Sequence, residues 1–148
     1  MPLTGTFHRS VDQKQRITIP KDLRTALAKS AEGAYYVAPG TDGCLAIYDE
    51  SSFLRVADRL DEAPPGQRDV RAFGRLFYAR AHRVEIDRQG RLRIPAPLAE
   101  LADLKKDAVL VGVGDHMELW NSEKWECYTQ DRQEHYDELA ESAFGQST

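Results

Sequence analysis

Val11-Asp12-Gln13-Lys14-Gln15-Arg16-Ile17-Thr18-Ile19-Pro20 returns in kind as Ile86-Asp87-Arg88-Gln89-Gly90-Arg91-Leu92-Arg93-Ile94-Pro95. The aspartate, the arginine four residues on, the isoleucine three after that and the closing proline are identical, and the apolar positions match in kind. A second echo follows each block in the same order: Ile47-Tyr48-Asp49 with Phe53, then Leu119-Trp120-Asn121 with Trp125. Such self-similarity marks two homologous halves. They cover about residues 1–60 and 80–135. Between them, residues 61–79 form a linker that opens on the breaker Asp61-Glu62-Ala63-Pro64-Pro65-Gly66. A chain of 148 residues fits this reading as two small halves sharing a core.

Alternation decides the local structure of each block. Val84 and Ile86 share one face of a strand, and Leu92 and Ile94 share one face of the next. Between them Asp87-Arg88-Gln89-Gly90 reads as a turn: an aspartate suits the first position, where its carboxylate accepts backbone N–H groups, and a glycine suits a position of positive φ. Each block is therefore expected to be a β-hairpin whose tip presents an acid with basic and polar groups. Arg91 and Arg93 then lie opposite Leu92 and Ile94, as Arg16 and Thr18 lie opposite Ile17 and Ile19. Pro20 and Pro95 end the strands and can open helices carried by Leu23, Ala26 and Leu27, and by Leu98, Leu101 and Ala102.

The rest of each half follows the same plan. Residues 35–38 and 108–111 read as strands, 40–43 and 112–115 as turns, and 45–48 and 117–120 as return strands. Asp49 or Ser51, and Asn121 or Ser122, are N-cap candidates for the helices that follow. Val70, Phe73, Leu76 and Phe77 recur at helical spacing, so residues 67–79 form an amphipathic helix between the halves. A last helix starts near Glu123, and residues 136–148 are expected to be an acidic flexible tail.

The net charge of -4 argues weakly against a nucleic-acid partner, but its distribution argues the other way. Residues 1–30 carry six basic and two acidic side chains, and residues 80–106 carry seven and four. Residues 115–148 carry nine acidic and two basic side chains, so the acid is concentrated in the C-terminal segment. Phosphate binding depends on the local field and not on the total.

Enzyme classes fare badly. The four histidines show no metal-ligand spacing, there is no P-loop and no nucleophile elbow, and Gly112-Val113-Gly114 lacks the third glycine and the βαβ context of a dinucleotide site. No cofactor, metal or small-molecule substrate is expected. No stretch is apolar for long enough to span a membrane and no signal peptide is evident, which points to the cytoplasm. Cys44 and Cys127, far apart and without C-x-x-C spacing, read as free thiols of a reducing compartment.

The two D-x-x-x-R blocks, each with an apolar-x-Ile-Pro run, together with Asp42-Gly43-Cys44-Leu45, Val109-Leu110-Val111-Gly112-Val113-Gly114-Asp115 and Glu118-Leu119-Trp120-Asn121 with Trp125, resemble the MraZ family of AbrB-like swapped-hairpin DNA binders. The resemblance covers about residues 5–135. It implies an α+β fold of two pseudo-symmetric swapped-hairpin halves, an AbrB-like barrel with short flanking helices. It further implies a nucleoid-associated regulator of a cell-division and cell-wall gene cluster, acting as a ring-shaped homo-oligomer on short direct promoter repeats of double-stranded DNA.

Two departures from the family pattern stand out. Gln15 occupies a position where the family usually has glycine, so the first tip is expected to form another turn. Ala99 occupies a position where the family usually has arginine, which the first half keeps as Arg24. The residues expected to meet DNA are Lys14, Arg16, Arg88 and Arg91, with Asp12 and Asp87 holding the tips and orienting the arginines. The plainer reading of each Asp–Arg pair is an internal salt bridge closing the turn, and the two roles are compatible. A rival function is a protein-interaction module of antitoxin type, in which the acidic C-terminal segment would take the partner.

Overall fold

The computed structural model describes residues 2–27 and 34–145. In chain order these form β1 (Thr6–Ser10), β2 (Arg16–Thr18), α1 (Lys21–Leu27), β3 (Ala34–Pro39), β4 (Leu45–Asp49), α2 (Glu50–Glu62) and α3 (Arg68–Arg80). The second half continues with β5 (His82–Glu85), β6 (Arg91–Arg93), α4 (Ala96–Leu101), β7 (Asp107–Gly112), β8 (Met117–Asn121), α5 (Ser122–Gln133) and α6 (Tyr136–Gly145). The architecture is α+β. An antiparallel six-stranded sheet runs β1-β7-β8-β4-β3-β5, and β2 and β6 form a separate antiparallel ribbon.

The expected hairpins need a correction. Within each block the arms meet only at the turn, where Asp12 N donates to Arg16 O at 3.0 Å and Asp87 N to Arg91 O at 2.9 Å. Beyond it they part. β1 pairs with β7 and β5 with β3 in the large sheet, while β2 pairs with β6 in the ribbon. Every one of these pairings joins the two halves. The physical reason is burial: Ile17, Ile19, Leu92 and Ile94 are sealed from solvent only if the ribbon lies as a layer of its own over the sheet.

One core results, not two. Ile17, Ile19, Leu92 and Ile94 from the ribbon segments pack with Leu45, Ile47, Leu110 and Leu119 from the sheet and with Leu23 and Leu98 from α1 and α4. Of the other helix positions, Ala102 is buried, Leu101 faces solvent, and the side chain of Leu27 lies outside the described residues. Two smaller clusters repeat one another on the sheet's other side. Tyr48 and Phe77 pack with Tyr36, Phe53 and Val56, and Trp120 packs with Trp125 and Tyr128 over Val109 and Val111.

The expected caps hold. Asp49 accepts Ser52 N at 2.8 Å and Asn121 accepts Lys124 N at 3.1 Å. Phe77 is the buried anchor of α3, whereas Phe73 and Leu76 remain largely exposed. The acidic end of the chain also needs a correction. From Tyr136 to Gly145 it is a helix, whose formation is favoured by Asp137 and Glu138 in its first turn. Gly112 marks a close crossing: a Cβ there would stand 2.6 Å from Thr4 N, because the incoming chain at Leu3 and Thr4 lies directly on it.

Candidate nucleic-acid interface

Each tip is an aspartate receiving the loop it starts. Asp12 Oδ1 accepts Lys14 N and Arg16 N, both at 2.9 Å, and Oδ2 accepts Arg16 Nε at 2.8 Å. Asp87 does the same: Oδ1 takes Gln89 N at 2.9 Å and Arg91 N at 2.8 Å, and Oδ2 takes Arg91 Nε at 2.9 Å. Gln15 N and Gly90 N close the turns onto Asp12 O and Asp87 O, both at 3.0 Å. The two tips are near-copies in geometry. Gln15 has φ 62 and Gly90 φ 78, so the glutamine adopts the left-handed conformation and the expected second turn type is absent. Its strain is offset by the hydrogen bonds that converge on Asp12.

These bonds set the electrostatics. The Arg16 backbone N–H, with the Arg16 side chain and Lys14 N behind it, holds the Asp12 carboxyl below its ordinary value of 3.8. The Arg91 backbone N–H does the same for Asp87. Both aspartates are therefore acceptors throughout the neutral range. Each arginine is oriented through Nε, which leaves its Nη groups as the donors it can present to a ligand. In the second tip, one of these, Arg91 Nη2, also lies 3.4 Å from Gln89 Oε1.

The ribbon collects the side chains. Its register sets Arg16 opposite Arg93 and Thr18 opposite Arg91, with Ile17 opposite Leu92. Ile17 and Leu92 point into the core, so Arg16, Thr18, Arg91 and Arg93 share the outer face. A tip stands at each end of this face. The six expected residues therefore fall into two clusters joined by one cationic strip: Asp12, Lys14 and Arg16 at one end, and Asp87, Arg88 and Arg91 at the other. Lys14 and Arg88 are exposed, and Arg16 and Arg91 are half-buried against their aspartates.

Two arginines outside the set expected to meet DNA also touch the tips. Arg93 Nε donates to Lys14 O at 3.0 Å across the repeat. Arg24 Nε donates to Ile19 O at 3.0 Å, and its guanidinium lies over Gly90. Alternation had already put Arg93 on the right face; nothing in the sequence announces the contact between halves. Arg83 pairs with Glu85 at 3.5 Å, and Arg9 lies over the Phe7 ring at 5.9 Å. The aromatic side chains Tyr48, Phe53, Trp120 and Trp125 belong to the packed clusters and not to the strip. No described helix is long and apolar enough to cross a membrane.

Comparison with known proteins matches this chain twice to one family model, described as MraZ protein and antitoxin-like, over residues 3–76 and 77–146. A transcriptional regulator MraZ of Finegoldia magna is 37% identical over 135 residues, 91% of each chain. That of Alkaliphilus oremlandii is 38% identical over 92% of each chain. That of Limosilactobacillus reuteri is 38% identical over 94% of this chain and 95% of its own. A solution structure of a protein from Pyrococcus horikoshii matches 80% of this chain and 89% of its own at a TM-score of 0.34 and 15% identity.

Proposed function

The chain belongs to the MraZ family, and from that premise we propose that it is a transcriptional regulator that binds double-stranded DNA through its two Asp–Arg tips. One observation carries the reading. Both halves build the same tip with matching hydrogen bonds, and a single solvent-facing strip of arginines joins the two. A structural salt bridge would not require exposed Lys14 and Arg88 at both apices. The tip residues and the strip form a cationic surface on a chain whose net charge is -4.

In this reading Asp12 and Asp87 fix the loops and aim Arg16 and Arg91. The guanidinium Nη groups fork onto phosphate or guanine, while Lys14 acts as a point charge and Arg88 adds a mobile cation. The pairing of strands between the halves supports the swapped-hairpin arrangement that the family resemblance implies. By the family resemblance, the operator is a set of short direct repeats upstream of a cell-division and cell-wall gene cluster. The assembly is a nucleoid-associated ring of identical subunits, whose many tips raise avidity where repeat spacing matches subunit spacing.

The test is a fluorescence-anisotropy titration against the DNA upstream of the protein's own gene, beside scrambled DNA, over several salt concentrations. Expected is a preference for the upstream DNA whose log affinity falls with log salt by roughly 0.9 per phosphate contact. Arg16→Ala and Arg91→Ala are each expected to weaken binding more than tenfold, on the scale of a lost bidentate contact. Equal binding to scrambled DNA, or full binding by the double variant, would overturn the reading. A second reading has one observation in its favour. α6 presents Tyr136 and Leu139 at 67% and 50% exposure, an apolar surface that a protein partner of antitoxin type would cover.

A further inference from the structure

Arg24 and Arg93 reach across the repeat from positions that the two halves do not share. Arg93 corresponds to Thr18 in the first half, and Arg24 corresponds to Ala99 in the second. Arg93, on β6, donates from Nε to the carbonyl of Lys14 at the apex of the first tip, 3.0 Å away. Arg24, on α1, lies against the apex of the second tip: a Cβ added to Gly90 would stand 2.7 Å from its Cζ and 2.9 Å from Nη1. Its Nε bond to Ile19 O fixes the guanidinium, and Ile19 N donates to Gly90 O at 2.9 Å, so Gly90 is held from two sides. The equivalent backbone bond at the other tip, Ile94 N to Gln15 O at 2.8 Å, is present, but the position equivalent to Arg24 is Ala99.

The residues at the two apices are matched to this difference. Gly90 is buried under Arg24, whereas its counterpart Gln15, which carries a side chain, is exposed, and the helix position equivalent to Arg24 holds only Ala99. We propose that Arg24 and Arg93 are positioning residues of the DNA-binding surface, each clamping the tip of the other half, so that the two tips are made rigid by unequal means. The clamp rests on geometry alone, and its consequence for DNA rests on the function proposed above. A loop that must be ordered on binding weakens the complex by the cost of that ordering, and holding it beforehand removes the cost. A guanidinium suits the task because it donates from Nε while its flat face packs on backbone; an ammonium offers neither.

The experiment combines amide hydrogen exchange of the free protein with DNA titrations, on full-length Arg24→Ala, Arg24→Lys, Arg93→Ala, Gly90→Gln and the double variant Arg24→Ala/Gly90→Gln. Circular dichroism checks that each is folded. Arg24→Ala is expected to speed exchange at Gln89, Gly90 and Arg91 about tenfold and to leave Lys14 and Arg16 unchanged. Arg93→Ala is expected to do the reverse, although Arg93 lies next to the second tip in sequence. The tenfold scale corresponds to the loss of one charge-assisted hydrogen bond. Arg24→Lys should behave as Arg24→Ala. Gly90→Gln, which copies the side chain already tolerated at Gln15, should displace Arg24, so the double variant should be no worse than either single one.

The overturning results are distinct from failure of the functional reading. If wild-type protein shows no DNA preference, that reading fails, and the exchange pattern still decides the clamp. If Arg24→Lys keeps wild-type affinity, or if Arg24→Ala lowers the salt slope by one contact with tip exchange unchanged, the arginine meets phosphate directly and the clamp is wrong. Exchange that quickens at the variant's own tip, or at neither tip, overturns it as well.

Discussion

Asp12 and Asp87 carry more of the surface than the arginines they hold. Each accepts two backbone N–H groups and one guanidinium N–H, so removing a carboxylate releases the loop and the arginine together. Asp87→Ala is expected to leave the fold intact and weaken DNA binding at least as much as Arg91→Ala, which anisotropy with each variant measures. The pH dependence follows from the sign of the shift. Both folded carboxyls titrate below 3.8, so their contribution is complete above that value and is lost only as pH falls through the lowered folded value. The amide resonances of Lys14, Arg16, Gln89 and Arg91 should therefore stay constant from pH 8 to about 5 and shift only below the ordinary aspartate range. The two thiols differ as well. Burial, aided by Glu118, pushes Cys44 up to about 12, whereas Cys127 is exposed. One equivalent of alkylating reagent should react at pH 8, at Cys127, with Cys44 modified only on unfolding.

At the scale of elements, the sequence-based expectations fared best where the signal is local. Strand alternation, the Asp49 and Asn121 caps and the helix over Arg68–Arg80 were all legible, because each depends on residues a few positions apart. What alternation cannot convey is which strand lies beside which. The arms of each block look like partners until the burial of Ile17, Ile19, Leu92 and Ile94 assigns them to different layers. Gln15 was misjudged because a propensity rule was weighed without the hydrogen bonds that offset the strain. α6 was missed because its acidic composition masked its helical register. Phe77 is the buried side chain of α3 and packs in the cluster with Tyr48. Phe77→Ala should cost about 3–4 kcal/mol by denaturant unfolding. Gly112→Ala presses on backbone, not on a movable side chain, and is expected to cost about 1–3 kcal/mol as overpacking does.

For the whole molecule, the decisive fact is that strands of both halves are interleaved in one sheet and share one core. A chain so interleaved should unfold in one transition, with fluorescence and circular dichroism tracing the same curve. Residues 1–66 alone would expose Ile17, Ile19, Leu45 and Ile47 and should not persist as a folded monomer, which sedimentation and circular dichroism of that fragment would show. The repeat made this sharing legible, since each half alone is only marginally long enough for a core of its own.

The unequal apices, Gly90 buried beneath Arg24 and Gln15 exposed, have one more consequence. A dimer of identical chains must change both ends at once and reads its target the same from either direction, which favours palindromes. Two halves fused in tandem are free to diverge, and here they have. The molecule has a head and a tail along its ribbon, and a reader with polarity can tell the orientation of the site it lies on.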